Sequence, residues 1–189
     1  VEVLVRGGEP QLSLNPGRIS PNSYAFMDSR KPLAVQFKFR GESIFVISNH
    51  LNSKGEDGPL FGDIQPPPLF SEVQRVQQAQ IIHEFVAQIL AIDTEAKVIV
   101  LGDLNDFPWS LPVQTLAGQQ LDNLIERLPE NERYTYLYEG NAEVLDHILV
   151  SQSLTGKVDY FEIVHINAEM LPAMRLSDHD PVIAAFTFE

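Results

Sequence analysis

The 189-residue sequence contains no cysteine, which excludes a disulfide-stapled fold, thiol catalysis and a cysteine-ligated zinc site. No stretch reaches the roughly 18 consecutive apolar residues that a membrane-spanning helix needs. Basic residues are also scarce, because 13 Lys and Arg stand against 26 Asp and Glu, for a net charge of −13. Since phosphate affinity normally depends on Lys and Arg, this charge disfavours nucleic acid as a partner, unless metal ions neutralise the site and a few arginines line it.

The chain is long enough to bury a core, and 44% of its residues are apolar, as is typical of a folded globular protein. We find no repeat, low-complexity tract or internal boundary, and we therefore predict a single domain over residues 1–189. The first residue is Val1, and the residues after it do not resemble a signal peptide. We interpret the chain as an excised fragment or a mature segment.

The spacing of apolar residues and turn signals predicts a mixed α/β protein. Residues 1–31 are rich in turn signals and are predicted to be loop. A long Gly/Pro-rich loop is predicted over Lys54–Phe70, followed by a helix that begins with a capping box at Ser71. The other predicted elements are a hairpin (Leu33–Phe39 and Ser43–Ser48), a central strand (Lys97–Leu101), helices after Ser110 and over Leu121–Leu128, and strands over Val144–Val150, Tyr160–Ile166 and Val182–Phe188.

Four polar clusters lie where predicted apolar strands begin or end. They are Ser48–Ser53, Leu101–Asp106, Leu145–Ser151 and Ser177–Val182. Open α/β sheets bind ligands at such strand ends, and stability alone does not explain an acid beside an imidazole at the mouth of a buried strand. Together the clusters predict one metal-assisted, phosphodiester-cleaving site assembled from four strand ends.

The first two clusters carry a histidine, a carboxylate and an amide. His50 surfaces at the end of a buried strand, where an imidazole can act as a general acid near neutral pH; a capping or core histidine fits this position equally well. Asp103 and Asn105 follow Gly102 and stand two residues apart, so that both can face one ion or phosphate oxygen. Turns use the same residues, and this motif alone is weak.

The last two clusters each contain an Asp-His pair. Asp146 and His147 open a strand, whose alternation sends their side chains to opposite faces. We expect Asp146 to face the site and His147 to lie on the far side. Asp178 and His179 lie in a loop that can present both side chains. Two further histidines are predicted to be structural: His83 and His165.

The ordered set of motifs closely resembles the C-terminal motifs of the endonuclease/exonuclease/phosphatase superfamily, which includes deoxyribonuclease I-like enzymes, sphingomyelinases and inositol polyphosphate phosphatases. The stretches SRKPLAVQFKF, NHLNSKG, VIVLGDLNDF, ERYTYLYEGNAEVLDHILVS and SDHDPV look most like bacterial extracellular nucleases of that group. The resemblance extends from about Gly7 to the end. It implies part of a four-layer deoxyribonuclease I-like sandwich, mostly one mixed or antiparallel sheet with flanking helices.

The resemblance also implies catalytic roles for five residues. His50 would contact the scissile phosphate and help to protonate the leaving oxygen. Asp103 would lie beside the phosphate and the attacking water, and Asn105 would hold that phosphate. Asp146 would orient His179 and fix its tautomer, so that the ring can act on the water or the phosphate.

Metal and substrate contacts follow from the same resemblance. Asp178 would be a ligand of a divalent cation, Mg²⁺ or else Mn²⁺ or Ca²⁺, which polarises the phosphoryl oxygen. Arg30 matches a position that contacts the substrate backbone, although an exposed surface arginine fits equally well. The implied partner is nucleic acid, with DNA favoured over RNA, and the implied location is extracellular or at the cell surface.

The sequence departs from the family pattern at its start. Members carry an early strand that ends in asparagine and a glutamate that is the main metal ligand, and neither occurs before Leu33. We therefore expect the N-terminal part of the family's domain to be missing, metal affinity to be weak and the chain alone to be inactive. An apolar sheet face should be exposed and available for self-association.

Other functions remain open. A phosphatase or a sphingomyelinase-type phosphodiesterase of the same superfamily would use the same catalytic residues, and a non-catalytic nucleic-acid-binding module could keep the fold without turnover. Calcineurin-like metallophosphoesterases are excluded by motif order, because Asn49-His50 precedes Gly102-Asp103 here and the expected Asp-x-His start is absent.

Overall fold

The computed structural model describes residues 1–59 and 62–188. Its strands are β1 (Val3–Arg6), β2 (Glu9–Leu12), β3 (Gly17–Arg18), β4 (Leu33–Phe39), β5 (Glu42–His50), β6 (Lys97–Asp103), β7 (Leu121–Asn123), β8 (Tyr136–Tyr138), β9 (Asn141–Glu143), β10 (Asp146–Ser151), β11 (Val158–Ile163) and β12 (Val182–Phe186). Its α-helices are α1 (Glu72–Ile92), α2 (Leu111–Ala117) and α3 (Gln152–Thr155), with short 3-10 helices at Tyr24–Phe26, Leu124–Arg127 and Glu130–Glu132.

A six-stranded mixed sheet forms the centre of the fold, in the order β3-β4-β5-β6-β10-β7. The pair β5 and β6 is parallel, and α1 makes the crossover between the two strands. The other neighbours in this sheet pair antiparallel. The carboxyl ends of β5 and β6 therefore meet at the edge of the sheet where β10 begins.

The two faces of the central sheet bury different layers. One face packs against α1 and α2, with Ile47, Val98 and Val100 fully shielded from solvent beneath Ile82 and Val86 of α1. On the other face, a two-stranded β11–β12 sheet contributes its inward side chains to a second apolar cluster. This layering of helices, a mixed sheet and a smaller sheet confirms the predicted α/β class.

Part of the second face is uncovered on β4. Phe37 and Phe39 lie on the same side of the sheet as Ile44, which belongs to the second cluster, yet each remains 52% exposed. Two apolar side chains are therefore half-exposed at this edge, while the exposure of a whole sheet face stays a prediction. No helix among the described residues has both the length and the apolar character needed to cross a membrane.

The predicted hairpin, the helix after Ser71 and the central strand are confirmed, but three local predictions were wrong. Residues 1–31 contain the paired strands β1 and β2 and the edge strand β3. The Ser71 side chain does not cap α1, because its Oγ donates to Asp57 and accepts from Arg75. Leu121–Leu128 forms β7 and a 3-10 helix, since pairing with β10 overrides the helical pattern.

The hairpin of β8 and β9 was not predicted from the sequence. The long loop predicted over Lys54–Phe70 includes residues 60 and 61, which lie outside the described residues. On either side of them, the described part of this loop contains no helix or strand.

Candidate active site

Strand register brings three candidate residues side by side. In the parallel pair, His50 of β5 lies opposite Asp103 of β6, and in the neighbouring antiparallel pair Asp103 lies opposite Asp146 of β10. Residues opposite one another in a sheet project from the same face. His50 Nε2 accordingly lies 3.4 Å from Asp103 Oδ2. Four strand ends were predicted to form one site, and the register unites three of them.

Gly102 permits the close approach of β5 and β6 at this edge. Its φ angle of +123° lies in a region that side-chain-bearing residues rarely adopt, and a Cβ atom there would lie 2.1 Å from the backbone oxygen of Asn49. Gly102 thus fixes the separation of the strands that carry His50 and Asp103.

The fourth cluster reaches the site through His179. Its Nδ1 lies 2.6 Å from Asp146 Oδ2, and the ring lies 4.7 Å from the Tyr136 ring, centroid to centroid. A carboxylate at this distance holds the proton on Nδ1 and leaves Nε2 for other partners. Asp146 therefore lies within hydrogen-bonding distance of His179, where it could play the orienting role that the motif resemblance implies.

A buried threonine, which the sequence analysis missed, holds this pair in position. The Thr135 hydroxyl accepts hydrogen bonds from the backbone N–H groups of Leu145 and Asp146, and the Thr135 carbonyl accepts one from the N–H of Asp180. Thr135 is fully buried. One residue thus connects the start of β10 to the loop that carries His179.

Asp180 fixes the other end of that loop. Its Oδ1 accepts from the backbone N–H groups of Ile166, Asn167 and Ala168, and its Oδ2 pairs with His165 Nδ1 at 2.9 Å. Although burial opposes ionisation, these hydrogen bonds keep the pKa of Asp180 below its usual range. The structural role predicted for His165 is confirmed by this contact.

Burial and neighbouring charges shift the pKa values of the site residues. The hydrogen bond to Asp146 raises the pKa of His179 and favours its cationic form. Burial raises the pKa of Asp103, and the nearby charge of Asp146 raises it further. Burial lowers the pKa of His50, and the nearby positive charge of Arg30 lowers it further. The site therefore shifts the pKa values of its two imidazoles in opposite directions and raises that of the Asp103 carboxyl group.

Asp103 and Asp146, together with His179 when its ring is neutral, form a group that fits a divalent cation. One ligating atom from each lies within 4.8 Å of the other two. Carboxylate oxygens are the ligands that Mg²⁺, Mn²⁺ and Ca²⁺ prefer. Repulsion between the Asp103 and Asp146 carboxylates contributes to the raised pKa of Asp103, and a bound cation would relieve that repulsion. Asp178 is exposed and lies outside this group, so its role as a ligand stays a prediction.

Asn105 and Arg30 occupy different environments. Asn105 is buried, donates from its side-chain amide to the Leu51 carbonyl at 3.0 Å, and donates from its backbone N–H to Asp103 Oδ1 at 2.8 Å. It therefore stabilises the turn after β6, and its contact with phosphate stays a prediction. Arg30 is exposed, close enough for its charge to act on His50.

His147 lies on the far side of β10, as predicted, and is buried. Its Nδ1 accepts from the Asn123 side-chain amide, and its Nε2 donates to the Asp106 carbonyl at 2.9 Å. Burial lowers its pKa to about 4 and keeps the ring neutral. His147 thus supports the loop after β6 from the far face of the sheet.

His83 is likewise structural, because its Nδ1 contacts the Leu116 carbonyl at 3.2 Å between α1 and α2.

A buried arginine, also missed by the sequence analysis, ties the loops around the site to α1. Arg75 is fully buried; its Nε donates to Asp106 at 2.8 Å and its Nη2 to Asp57 at 2.9 Å. Its Nη1 donates to the Ser53 carbonyl and the Ser71 hydroxyl. The guanidinium therefore holds together the loop after β5 and the loop after β6.

Gln78 performs a similar task one helical turn further along α1. Its Oε1 accepts from the Asn52 N–H at 2.8 Å, and its Nε2 donates to the Ala25 carbonyl and the Ser29 hydroxyl. The sequence held a signal for both residues, because positions 75 and 78 continue the buried stripe at Ala79 and Ile82. Polar residues on such a stripe need buried partners.

Two imidazoles and two neighbouring carboxylates at the carboxyl edge of a mixed sheet can supply the acid–base groups and metal ligands that hydrolysis of a phosphate ester needs. The chain belongs to the Endonuclease/Exonuclease/phosphatase family, whose sequence profile matches residues 15–185. This confirms the superfamily that the motifs predicted. Enzymes of this superfamily are phosphoesterases that depend on divalent metal ions. No curated protein matches the chain at a significant level.

Solved structures support the same fold. TDP2 from D. rerio, complexed with a single strand DNA product, is 21% identical with a TM-score of 0.64, over 93% of this chain and 68% of that one. The 3′ phosphatase NExo from Neisseria, bound to a product DNA hairpin, is 22% identical with a TM-score of 0.63, over 92% and 70%. A mannosyl-6-phosphatase from Bacteroides thetaiotaomicron is 16% identical with a TM-score of 0.57, over 84% and 56%. The chain thus spans about two thirds of the length of the first two.

Proposed function

We propose that this chain carries the catalytic residues of a divalent-metal-dependent phosphodiesterase that hydrolyses DNA as an endonuclease. The observation that carries this proposal is the Asp146–His179 hydrogen bond of 2.6 Å beside Asp103 and His50. Family membership supports phosphoester hydrolysis. The similar folds of TDP2 and NExo, whose structures contain DNA products, favour DNA as the substrate.

Each side chain has a part in the proposed reaction. Asp103 lies where it can accept a proton from the attacking water. His179, whose pKa the hydrogen bond to Asp146 raises, donates a hydrogen bond to the phosphoryl oxygen and offsets the charge that develops there. His50 lies opposite Asp103 in the parallel strand pair and, in its protonated form, donates a proton to the leaving oxygen. A divalent cation held by Asp103 and Asp146 would supply further polarisation of the phosphoryl group.

A small phosphomonoester is a second candidate substrate. The net charge of −13 disfavours a long polyanion, and a mannosyl-6-phosphatase shares the fold. The same side chains would serve for either ester, because the reacting group is a phosphoryl centre in both. Substrate choice therefore depends on the loops around the site.

The test is hydrolysis of duplex DNA, single-stranded DNA, RNA and a sugar phosphate, each with Mg²⁺, Mn²⁺ or Ca²⁺ and with EDTA. It is made on the 189-residue chain and on a longer protein that contains it. We expect metal-dependent cleavage of DNA by the longer protein and none by the 189-residue chain alone, and His179→Ala should lower the rate of the longer protein by roughly 10²–10⁴-fold. His83→Ala is the matched control, since that imidazole contacts α2 and should leave the rate unchanged.

Three outcomes would overturn the proposal in different ways. Hydrolysis of the sugar phosphate alone would establish the phosphatase alternative, and binding of DNA without cleavage would favour a non-catalytic module. Equal loss of activity in His179→Ala and His83→Ala would show that the assay reports stability rather than chemistry.

Two further parts of the proposal concern the surroundings of the protein. The motif resemblance to bacterial extracellular nucleases leads us to place it outside the cell or at its surface. The exposed Phe37 and Phe39 on β4 offer a surface for self-association. Sedimentation of the wild type against Phe37→Ser/Phe39→Ser tests the second point, and a monomer in both cases would refute it.

A further inference from the structure

An exposed stack of two aromatic rings lies on the loop that follows Asp103. Phe107 and Trp109 are nearly parallel, with an interplanar angle of 12° and ring centroids 5.0 Å apart. Trp109 is 74% exposed although Phe107 covers one of its faces. The other face of the indole is therefore open to solvent. We call Phe107 and Trp109 the aromatic platform.

The loop holds the platform rigidly. The Phe107 carbonyl accepts hydrogen bonds from the backbone N–H and the hydroxyl of Ser110, and the Phe107 N–H donates to Asp106 Oδ1. The Pro108 carbonyl accepts from the Gln114 side chain of α2 at 2.7 Å. These hydrogen bonds order the backbone on either side of Trp109, and the stack on Phe107 orients the indole, so less ordering remains to be done when a ligand binds.

The platform is joined to the site by a lysine. Lys54, four residues after His50, lies with its Nζ 4.7 Å from the centre of the Phe107 ring and 3.3 Å from Asp106 Oδ1. Lys54 thus brings a cation between the loop after β5 and the loop after β6, at the sheet edge that holds Asp103. A flat apolar surface next to a cation is suited to a base attached to a phosphate.

We infer that the outer face of Trp109 stacks a nucleobase of a single-stranded or locally unpaired substrate bound at the site. This inference rests on the proposed function, which it deepens by naming a subsite and a substrate form. Every base offers a flat face, so stacking of this kind tolerates any sequence. The platform would select nucleotides over sugar phosphates without selecting one base over another.

Trp109 is the sole tryptophan of the chain, which makes its fluorescence a direct probe of the platform. The titration uses the His179→Ala variant with Mg²⁺, so that the ligand survives the measurement. A short single-stranded oligodeoxynucleotide should quench the fluorescence saturably. An abasic deoxyribose-phosphate oligomer of the same length should not, because it carries the charges without the bases. Equal quenching by both, or by neither, overturns the inference.

Hydrolysis gives a second measurement. Trp109→Ala should lower kcat/KM for single-stranded DNA by roughly 5- to 150-fold, the cost of one lost base stack, and leave kcat/KM for the abasic oligomer unchanged. Trp109→Phe should restore part of the loss, since a smaller ring still stacks. Tyr160→Ala, which removes a half-exposed ring on β11, is the control and should have no effect.

The two hypotheses fail in different ways. If no phosphodiester is hydrolysed but the base-containing oligomer still quenches Trp109, the proposed function fails and the platform stands. If single-stranded DNA is hydrolysed and Trp109→Ala slows it no more than Tyr160→Ala does, the platform fails and the proposed function stands.

Discussion

Replacing Arg75 with methionine should cost the protein about 3 kcal/mol of stability. The Arg75 side chain is 0% exposed, and the carboxylates that it pairs with, Asp57 and Asp106, are 4% and 2% exposed. Removing one partner of a buried ion pair costs about 3–5 kcal/mol, because the remaining charge stays buried. Lys54 lies 3.3 Å from Asp106 and 3.9 Å from Asp57 and offsets part of this cost. We therefore expect the lower end of the range.

Urea unfolding at neutral pH, followed by circular dichroism, measures this change. Arg6→Met is the matched control, because Arg6 is exposed on β1 and should change the free energy of unfolding by less than about 0.5 kcal/mol. Adding Asp106→Asn to Arg75→Met should restore some stability, since it removes an unpaired charge. A loss below about 1 kcal/mol for Arg75→Met, or strictly additive effects in the double variant, would refute the buried-network argument.

The same network has a pH dependence of known sign. Burial alone would raise the pKa of Asp57, but hydrogen bonds from Arg75 and Ser71 outweigh it and hold the pKa below its usual value. A depressed carboxyl pKa contributes stability above the unfolded pKa, and that contribution is lost as the pH falls through the folded pKa. Arg75→Met should reduce this loss in acid, because only the hydrogen bonds from Ser71 then remain to oppose the effect of burial. An unchanged acid unfolding profile in the variant would contradict the assignment.

Three further predictions concern the site and its supports. Asp103→Ala should lower turnover by roughly 10²–10⁴-fold with the unfolding curve retained; a near-normal rate would remove Asp103 from the proposed reaction. Gly102→Ala should destabilise the protein by roughly 3 kcal/mol or more, because the new Cβ would collide with the Asn49 carbonyl and the backbone at position 102 is disfavoured for alanine. A soluble variant with wild-type stability in urea unfolding would show that β5 and β6 can move apart. The pKa of buried His147 in the folded protein, about 4, lies below its value of about 6.5 in the unfolded chain. The free energy of unfolding should therefore be highest above about pH 6.5 and fall by up to about 3 kcal/mol towards pH 4. His147→Gln should flatten this dependence of unfolding free energy on pH in urea unfolding, and an unchanged dependence would disprove the assignment.

Local patterns predicted the main elements because their apolar residues repeat at the period of the structure they form. Leu33–Phe39 alternates and forms β4, and the apolar run from Lys97 forms the central strand β6. The same reasoning failed at Leu121–Leu128, because the first three residues pair with β10 and form β7 at the edge of the central sheet. The local spacing of apolar residues does not show which distant segments will pair in a sheet.

The site was predicted more fully than its supports. His50, Asp103 and Asp146 were recognisable because polar residues at strand ends stand out against apolar runs. Arg75 and Thr135 were missed because each acts through contacts with segments far away in the sequence. A buried arginine on the apolar stripe of α1 could have been noticed, whereas nothing local distinguishes Thr135 from a turn residue.

The parallel pairing of β5 with β6 also has a consequence for how the protein folds. His50 and Asp103 meet only after the intervening chain, including α1, has closed into a crossover, and Asp146 meets His179 across 33 residues. Contacts between such distant positions form slowly, because chain entropy must be lost before they stabilise anything. Any activity of this site should therefore appear in the last phase of refolding, after helical structure has returned. A partly folded chain would contain helices without the paired strands that carry the site, and it would be catalytically inactive.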